Sequence, residues 1–205
     1  MAEAGLIARS PLEGIAREGR HGMRGGPPGA TLQERAGLQI ASLATRKGQA
    51  AALAARVREA WGIDLPGTPR RAGDARLTFL WAGPEQWLAL AENWPEGEVL
   101  EAALRGRLGG LASVAAQGDG RVVLRLGGPR ARDLLAKLAA IDLHPRAFRP
   151  GDTALTLAAQ LGVQLWQLDE APTYEIAAFR GYAGSLYRAV FAAGEEYGIE
   201  VLARG

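Results

Sequence analysis

There is no cysteine among the 205 residues. That excludes a disulfide framework, thiolate metal sites and a cysteine nucleophile, and it fits a reducing cytoplasm. Histidine is almost as scarce, with only His21 and His144. A histidine metal centre needs several convergent ligands, and no H-E-x-x-H spacing occurs. The serines are Ser10, Ser42, Ser113 and Ser185. None lies in a G-x-S-x-G elbow, so a serine triad is not expected. No stretch of about 18 uncharged apolar residues exists, and the start lacks a basic–apolar–small order. Neither a membrane span nor a signal peptide is expected.

What is present is ordinary for a folded domain: 48% apolar and 22% charged residues. The length suffices for a substantial core, as one domain or two small halves. The net charge is +2, unevenly spread. Residues 1–76 carry 12 basic and 7 acidic groups, and the remainder 12 and 15. Only Lys47 and Lys137 of the 24 basic residues are lysines. The arginines are scattered, whereas a nucleic-acid binder presents a dense basic stripe with stacking aromatics. Neither nucleic acid nor membrane is an expected partner.

Residues 1–30 are rich in Gly and Arg and are expected to be mobile, or to order only against a partner. Residues 31–205 read as a single α+β domain. Thr31–Thr45 predicts a strand region around Leu38–Leu43, and Gln49–Trp61 a helix with Ala50, Leu53, Ala54, Val57 and Trp61 on one face. Leu77–Trp81 and Trp87–Ala91 predict a hairpin across Ala82-Gly83-Pro84-Glu85. Gly97–Leu108 predicts a helix stopped by Gly109-Gly110. Leu111–Gln117 and Arg121–Leu126 predict strands joined through Gly118-Asp119-Gly120. Pro129–Ile141 predicts a helix, Thr153–Leu168 one or two strands, and Thr173–Phe179 another. A last helix from Ala183 to Tyr197 carries Ala183, Leu186, Tyr187, Val190, Phe191 and Gly194 as its buried stripe. The resulting order fits two ferredoxin-like split βαβ halves, about 31–117 and 118–205.

Candidate chemistry is thin along the chain. Gly127-Gly128-Pro129, between a strand and a helix, suits a tight turn better than a phosphate cradle. No third glycine completes G-x-G-x-x-G, and Pro129 lacks a donor such a cradle would use. Asp119 reads as a turn former, and Asp133 as a residue of a helix's first turn that complements the dipole. His144 is expected to cap or to make a polar contact. Asp142, Asp152, Glu195 and Glu196 form no obvious dyad. Among Trp61, Trp81, Trp87, Trp94 and Trp166, core packing is the default, and Trp87 and Trp94 are expected to be partly exposed. Arg180 is expected either to pair across a subunit contact or to cap locally. The residues nominate no catalytic, cofactor-binding or metal-ligating position.

Five stretches, in this order and spacing, resemble the gamma subunit family of heterotetrameric sarcosine oxidase. They are Gly62-Ile63-Asp64-Leu65-Pro66; the run 81–88, WAGPEQWL; the run 120–135, GRVVLRLGGPRARDLL; the run Ile141-Asp142-Leu143-His144-Pro145 with Phe148; and the run 180–186, RGYAGSL. The resemblance covers about residues 35–200. It implies a fold like the N-terminal, folate-binding domain of the glycine-cleavage T-protein (an aminomethyltransferase). It also implies a non-catalytic subunit acting in assembly and stability. The complex of that family demethylates sarcosine oxidatively to glycine, with formaldehyde or methylene-tetrahydrofolate and hydrogen peroxide as products. The resemblance assigns FAD, FMN, NAD and tetrahydrofolate to the alpha and beta partner subunits and zinc to the delta subunit, leaving none in this chain. A stand-alone folate-binding module is the alternative.

Overall fold

Strands in this chain send alternate side chains into different cores, and that alternation sets the architecture. The computed structural model describes residues 9–92 and 94–205. In chain order it begins with β1 (Gly19–His21), β2 (Ala30–Glu34), β3 (Gln39–Thr45) and α1 (Ala50–Trp61). β4 (Arg71–Gly73), β5 (Thr78–Gly83), β6 (Gln86–Ala91), α2 (Leu100–Leu108) and β7 (Ala112–Ala116) follow. The rest is β8 (Arg121–Gly127), α3 (Ala131–Ala136), β9 (Thr153–Ala158), β10 (Leu161–Asp169), β11 (Thr173–Phe179), α4 (Ala183–Gly194) and β12 (Ile199–Val201).

The fold is α+β with two sheets. A five-stranded sheet has the order β4-β5-β6-β3-β7, and a seven-stranded sheet the order β1-β12-β2-β8-β11-β10-β9. All pairs are antiparallel except β12 with β2. Leu43, Phe79, Trp87, Ala89 and Val114 point one way, onto Leu53 and Val57 of α1 and Leu100, Leu104 and Leu108 of α2. Leu124, Leu126, Leu165, Tyr174 and Ile176 point the other way, onto Leu134 and Leu135 of α3 and Leu186 and Val190 of α4. The intervening residues Ile40, Leu80, Leu88, Leu90, Val123, Trp166 and Ala177 form a third core between the sheets. Period-two burial on both faces therefore stacks four layers: helices, sheet, sheet, helices.

Several elements depart from the sequence expectation. The region 31–45 is two strands, not one, and they belong to different sheets: β2 pairs with β8 and β12, and β3 with β6 and β7. Gly118-Asp119-Gly120 likewise carries the chain from one sheet to the other. The helix expected over Pro129–Ile141 ends at Ala136. Beyond it Ala139 makes an isolated bridge to Ala158, and Ala140 N–H donates to Leu157 O at 3.0 Å. The chain leaves the helix to cover one end of β9, an edge strand whose open ladder needs partners. The three-residue strands β1, β4 and β12 are too short to show a period. Residues 1–8 of the expected mobile start lie outside the described residues. From Arg9 the segment packs on the larger sheet, with Leu12 only 2% exposed.

Candidate functional site

The face of the larger sheet turned toward the smaller one carries a cluster of polar groups that includes Arg125, Glu175 and Gln164. Register fixes which residues stand side by side there. Arg125 pairs with Glu175 and Glu175 with Trp166; one pleat along, Val123 pairs with Ala177, Ala177 with Gln164 and Gln164 with Leu155; at the far end Arg121 pairs with Phe179.

The Arg125–Glu175 end is an ionic knot. Arg125 donates from Nε to Glu175 Oε1 at 2.9 Å, with its terminal nitrogen 2.8 Å from the same oxygen. Arg35, just after β2, brings Nε to 3.1 Å from Glu175 Oε1, off the hydrogen-bonding line, and pairs with Glu92 from the end of β6. The second oxygen, Glu175 Oε2, accepts from Trp166 Nε1 at 3.0 Å. Glu175 is only 5% exposed, so this carboxylate is desolvated and fully engaged. Such a group holds structure, since one buried carboxylate ties together side chains from different strands. Gln164 adds a neutral tie between the sheets, donating Nε2 to Trp81 O at 3.0 Å.

The Arg121 end is different. The two sheets part there and leave an open groove of about 950 Å³. The smaller sheet contributes Ser42, Ala44 and Leu88; the larger contributes Leu155, Leu157, Gln164 and Phe179, and Tyr182 closes one side. Leu155, Leu157, Phe179 and Tyr182 are each about half exposed, at 52%, 51%, 54% and 49%. The Arg121 guanidinium lies 4.8 Å from the centre of the Phe179 ring. Its Nε is buried without a hydrogen-bond partner among the described residues. Burial holds this guanidinium below its usual pKa. A second cavity, of about 810 Å³, shares Arg121 and adds Arg9, Arg35, Arg180 and Arg204 with Glu34, Glu101 and Asp119.

The residues weighed from sequence do not converge. The Gly127-Gly128 turn is filled by the chain itself: Gly29 O accepts from Arg130 N–H at 2.8 Å, so the first amide of the α3 turn is taken. Asp133 pairs with Arg130 at 2.7 Å. His144 Nδ1 accepts from Arg146 N–H at 3.2 Å, and Asp142 Oδ1 from His144 N–H at 2.8 Å, in one exposed turn. Asp152 pairs with Arg70, and Glu196 with Lys137. Arg180 does not cap locally: it donates to Arg9 O at 2.6 Å, across 171 residues of sequence. Trp94 is half-buried, but Trp87 is only 8% exposed, because its Nε1–H finds Pro66 O at 2.8 Å and its ring lies under α1 and α2. No group of three or more potential metal-ligating side chains, and no helix long and apolar enough to cross a membrane, occurs among the described residues. The half-exposed Leu155 and Leu157 went unnoticed in sequence. Their alternation with Ala154 and Ala158 marks a two-faced strand, but nothing local tells that one face overhangs.

Known proteins resemble the chain over most of its length. Residues 47–200 match the model of the sarcosine oxidase, gamma subunit family. A sarcosine oxidase subunit gamma of Arthrobacter sp. is 36% identical over 179 residues, covering 85% of this chain and 84% of that protein. Another, from Corynebacterium sp. strain P-1, is 34% identical over 177 residues, with 85% and 84% covered. Among solved structures, a chain of the heterotetrameric sarcosine oxidase from Corynebacterium sp. U-96, in complex with pyrrole 2-carboxylate, superposes with a TM-score of 0.77 at 30% identity, covering 94% of this chain and 97% of that one. The glycine cleavage system aminomethyltransferase T of Bartonella henselae shares the fold, with a TM-score of 0.59 at 18% identity over 87% of this chain and 48% of that one.

Proposed function

This chain belongs to the sarcosine oxidase gamma subunit family, and from that membership we propose that it works as a non-catalytic subunit of a heterotetrameric sarcosine oxidase. Its role is assembly and stability, and its partners are the alpha, beta and delta subunits. FAD, FMN, NAD and tetrahydrofolate sit on those partners, and the complex works in the cytoplasm. The observation that carries the reading is the agreement in sequence along nearly the whole chain and nearly the whole relative. The engagement of the buried carboxylates with guanidinium groups supports it, since that chemistry serves cohesion.

The same reading extends to the fold's origin. The unit β3-α1-β5-β6-α2-β7 has the strand order β5-β6-β3-β7. The unit β8-α3-β10-β11-α4-β12 has the order β12-β8-β11-β10 once β2 is set aside. Equivalent strands take equivalent places, which supports two ferredoxin-like halves in one domain, with the segment before residue 35 laid across the second.

Co-expression of the tagged chain with the other subunits from the same source tests the function. Larger subunits and yellow flavin absorbance should follow the tag. A colourless solitary chain that binds folate would overturn the reading in favour of the folate-module alternative. Sarcosine turnover by the isolated chain would overturn it as well.

A further inference from the structure

The groove between the parting sheets has two properties that belong together. Its floor is an apolar surface on the larger sheet, which overhangs the smaller one. Leu155 and Leu157 of β9 and Phe179 of β11 stand on that overhang, and Tyr182 on the turn beyond β11 extends it; all are about half exposed. Gly162 of β10 pairs with Leu157 and lacks a side chain, so the floor is recessed between the leucines and Phe179. At its inner end sits Arg121. Every arginine of the ionic knot has a carboxylate, whereas Arg121 has none within 4 Å among the described residues. Its guanidinium lies over the Phe179 ring. A half-buried guanidinium with an unsatisfied Nε is costly unless an anion completes it, and a planar fork of donors suits a carboxylate best.

We propose that this groove docks a segment of a partner subunit in which an Asp or Glu side chain binds Arg121 while apolar side chains cover Leu155, Leu157 and Phe179. The inference rests on the assembly role proposed above and names the surface that performs it. Charge complementarity selects the occupant: an apolar face alone would suit many surfaces, but one half-buried unmatched cation beside it asks for one carboxylate flanked by apolar groups. The spacing is set by the sheet. Arg121 and Leu157 lie three strands apart, about 14 Å at the usual interstrand distance. An extended segment covers that span in about four residues.

The test uses the co-expressed complex. Hydrogen exchange of the assembled chain against the isolated chain should show new protection over residues 153–162 and 177–182. Leu157→Asp, an exposed change that leaves the melting temperature in place, should cut co-purified partner subunits at least tenfold. Arg121→Glu should do the same, and Arg121→Met should weaken capture and flatten its salt dependence. Met23→Asp, on a 51%-exposed residue outside the groove's lining, should capture as the wild type does. If the wild type assembles but those segments gain no protection, or both groove variants capture normally, the inference is overturned while the assembly role stands. The same holds if Met23→Asp fails equally. If the wild type captures no flavin-bearing subunit, both fall. Self-association lost in Leu157→Asp would assign the face to a second copy, and protection in the isolated chain lost on deleting residues 1–8 would assign it to the chain's own start. Either result would overturn the proposal.

Discussion

Tyr174 is fully buried, with its hydroxyl unpartnered among the described residues and its ring stacked 6.5 Å from that of Phe148. Burial pushes the phenol up to about 12 from 10.0, and the Arg132 guanidinium over its ring opposes this only in part. The neutral form is thus favoured by folding. Its contribution is intact below pH 10, where the unfolded chain also keeps the proton, and is lost as pH rises from 10 through 12. The loss is of order 2 kcal/mol. Tyr174→Phe should therefore stabilise the chain at neutral pH by about 1 kcal/mol, since it removes an unsatisfied buried hydroxyl. It should also delete the most alkaline component of the phenolate absorbance titration. A destabilised variant, or an unchanged titration, would count against this account. Ala159 and Gln160 join β9 to β10 with φ of 49° and 66°, a conformation that suits Asn and Gly. Gln160→Gly should raise stability by ~1 kcal/mol in urea unfolding.

At the scale of elements, the strand-to-helix junction before α3 depends on one glycine. Gly128 has φ +101°, and a Cβ there would lie 2.8 Å from Gly29 O and 3.1 Å from Ala30 Cα. Both atoms are backbone, and the same Gly29 carbonyl holds the Arg130 amide, so neither side yields easily. Gly128→Ala should cost about 3 kcal/mol or more from combined strain and clash. Alanine at Gly120, with ordinary φ and open space, should cost far less. Thermal melts of the two variants compare them directly. Helix ends follow the same logic: α1 stops where Gly62 turns left-handed at φ 69° and donates to Arg58 O at 2.8 Å.

For the whole molecule, the layer between the sheets decides cohesion. It is part apolar, around Trp166, Leu80 and Leu88, and part ionic, around Glu175. The ionic part joins the two sheets, because Glu92 leaves β6 of one and Arg35, Arg125 and Glu175 belong to the other. Glu175→Ala would leave the Trp166 N–H without a partner, and Arg35 and Arg125 with only Glu92 to share. The expected loss is about 3–5 kcal/mol, read as a lower urea midpoint in one cooperative transition. Glu59→Ala, which removes an exposed pair with Arg56, should change stability by less than ~0.5 kcal/mol. Equal effects of the two would mean that the knot contributes nothing special.

Local chemistry along the chain determined the elements that have a period or a strong stop. The hairpin around Pro84, the helix ending at Gly62, the strand at Thr173–Phe179 and the stripe of α4 follow from side-chain spacing and from glycine and proline backbone limits. The short edge strands and the early end of α3 were illegible, because three residues carry no period and because the pull of β9's open edge is a tertiary force. The exclusion of cysteine chemistry was also readable, since it depends on which residue types occur. The ionic knot and the groove were not. Glu175 and Arg125 are 50 residues apart, and Arg121 and Leu157 lie on strands that meet only in the sheet. Sequence fixes which face a residue takes on its own strand. Only the packing of one sheet against another decides whether that face is covered, which charges meet, and where a leucine is left uncovered.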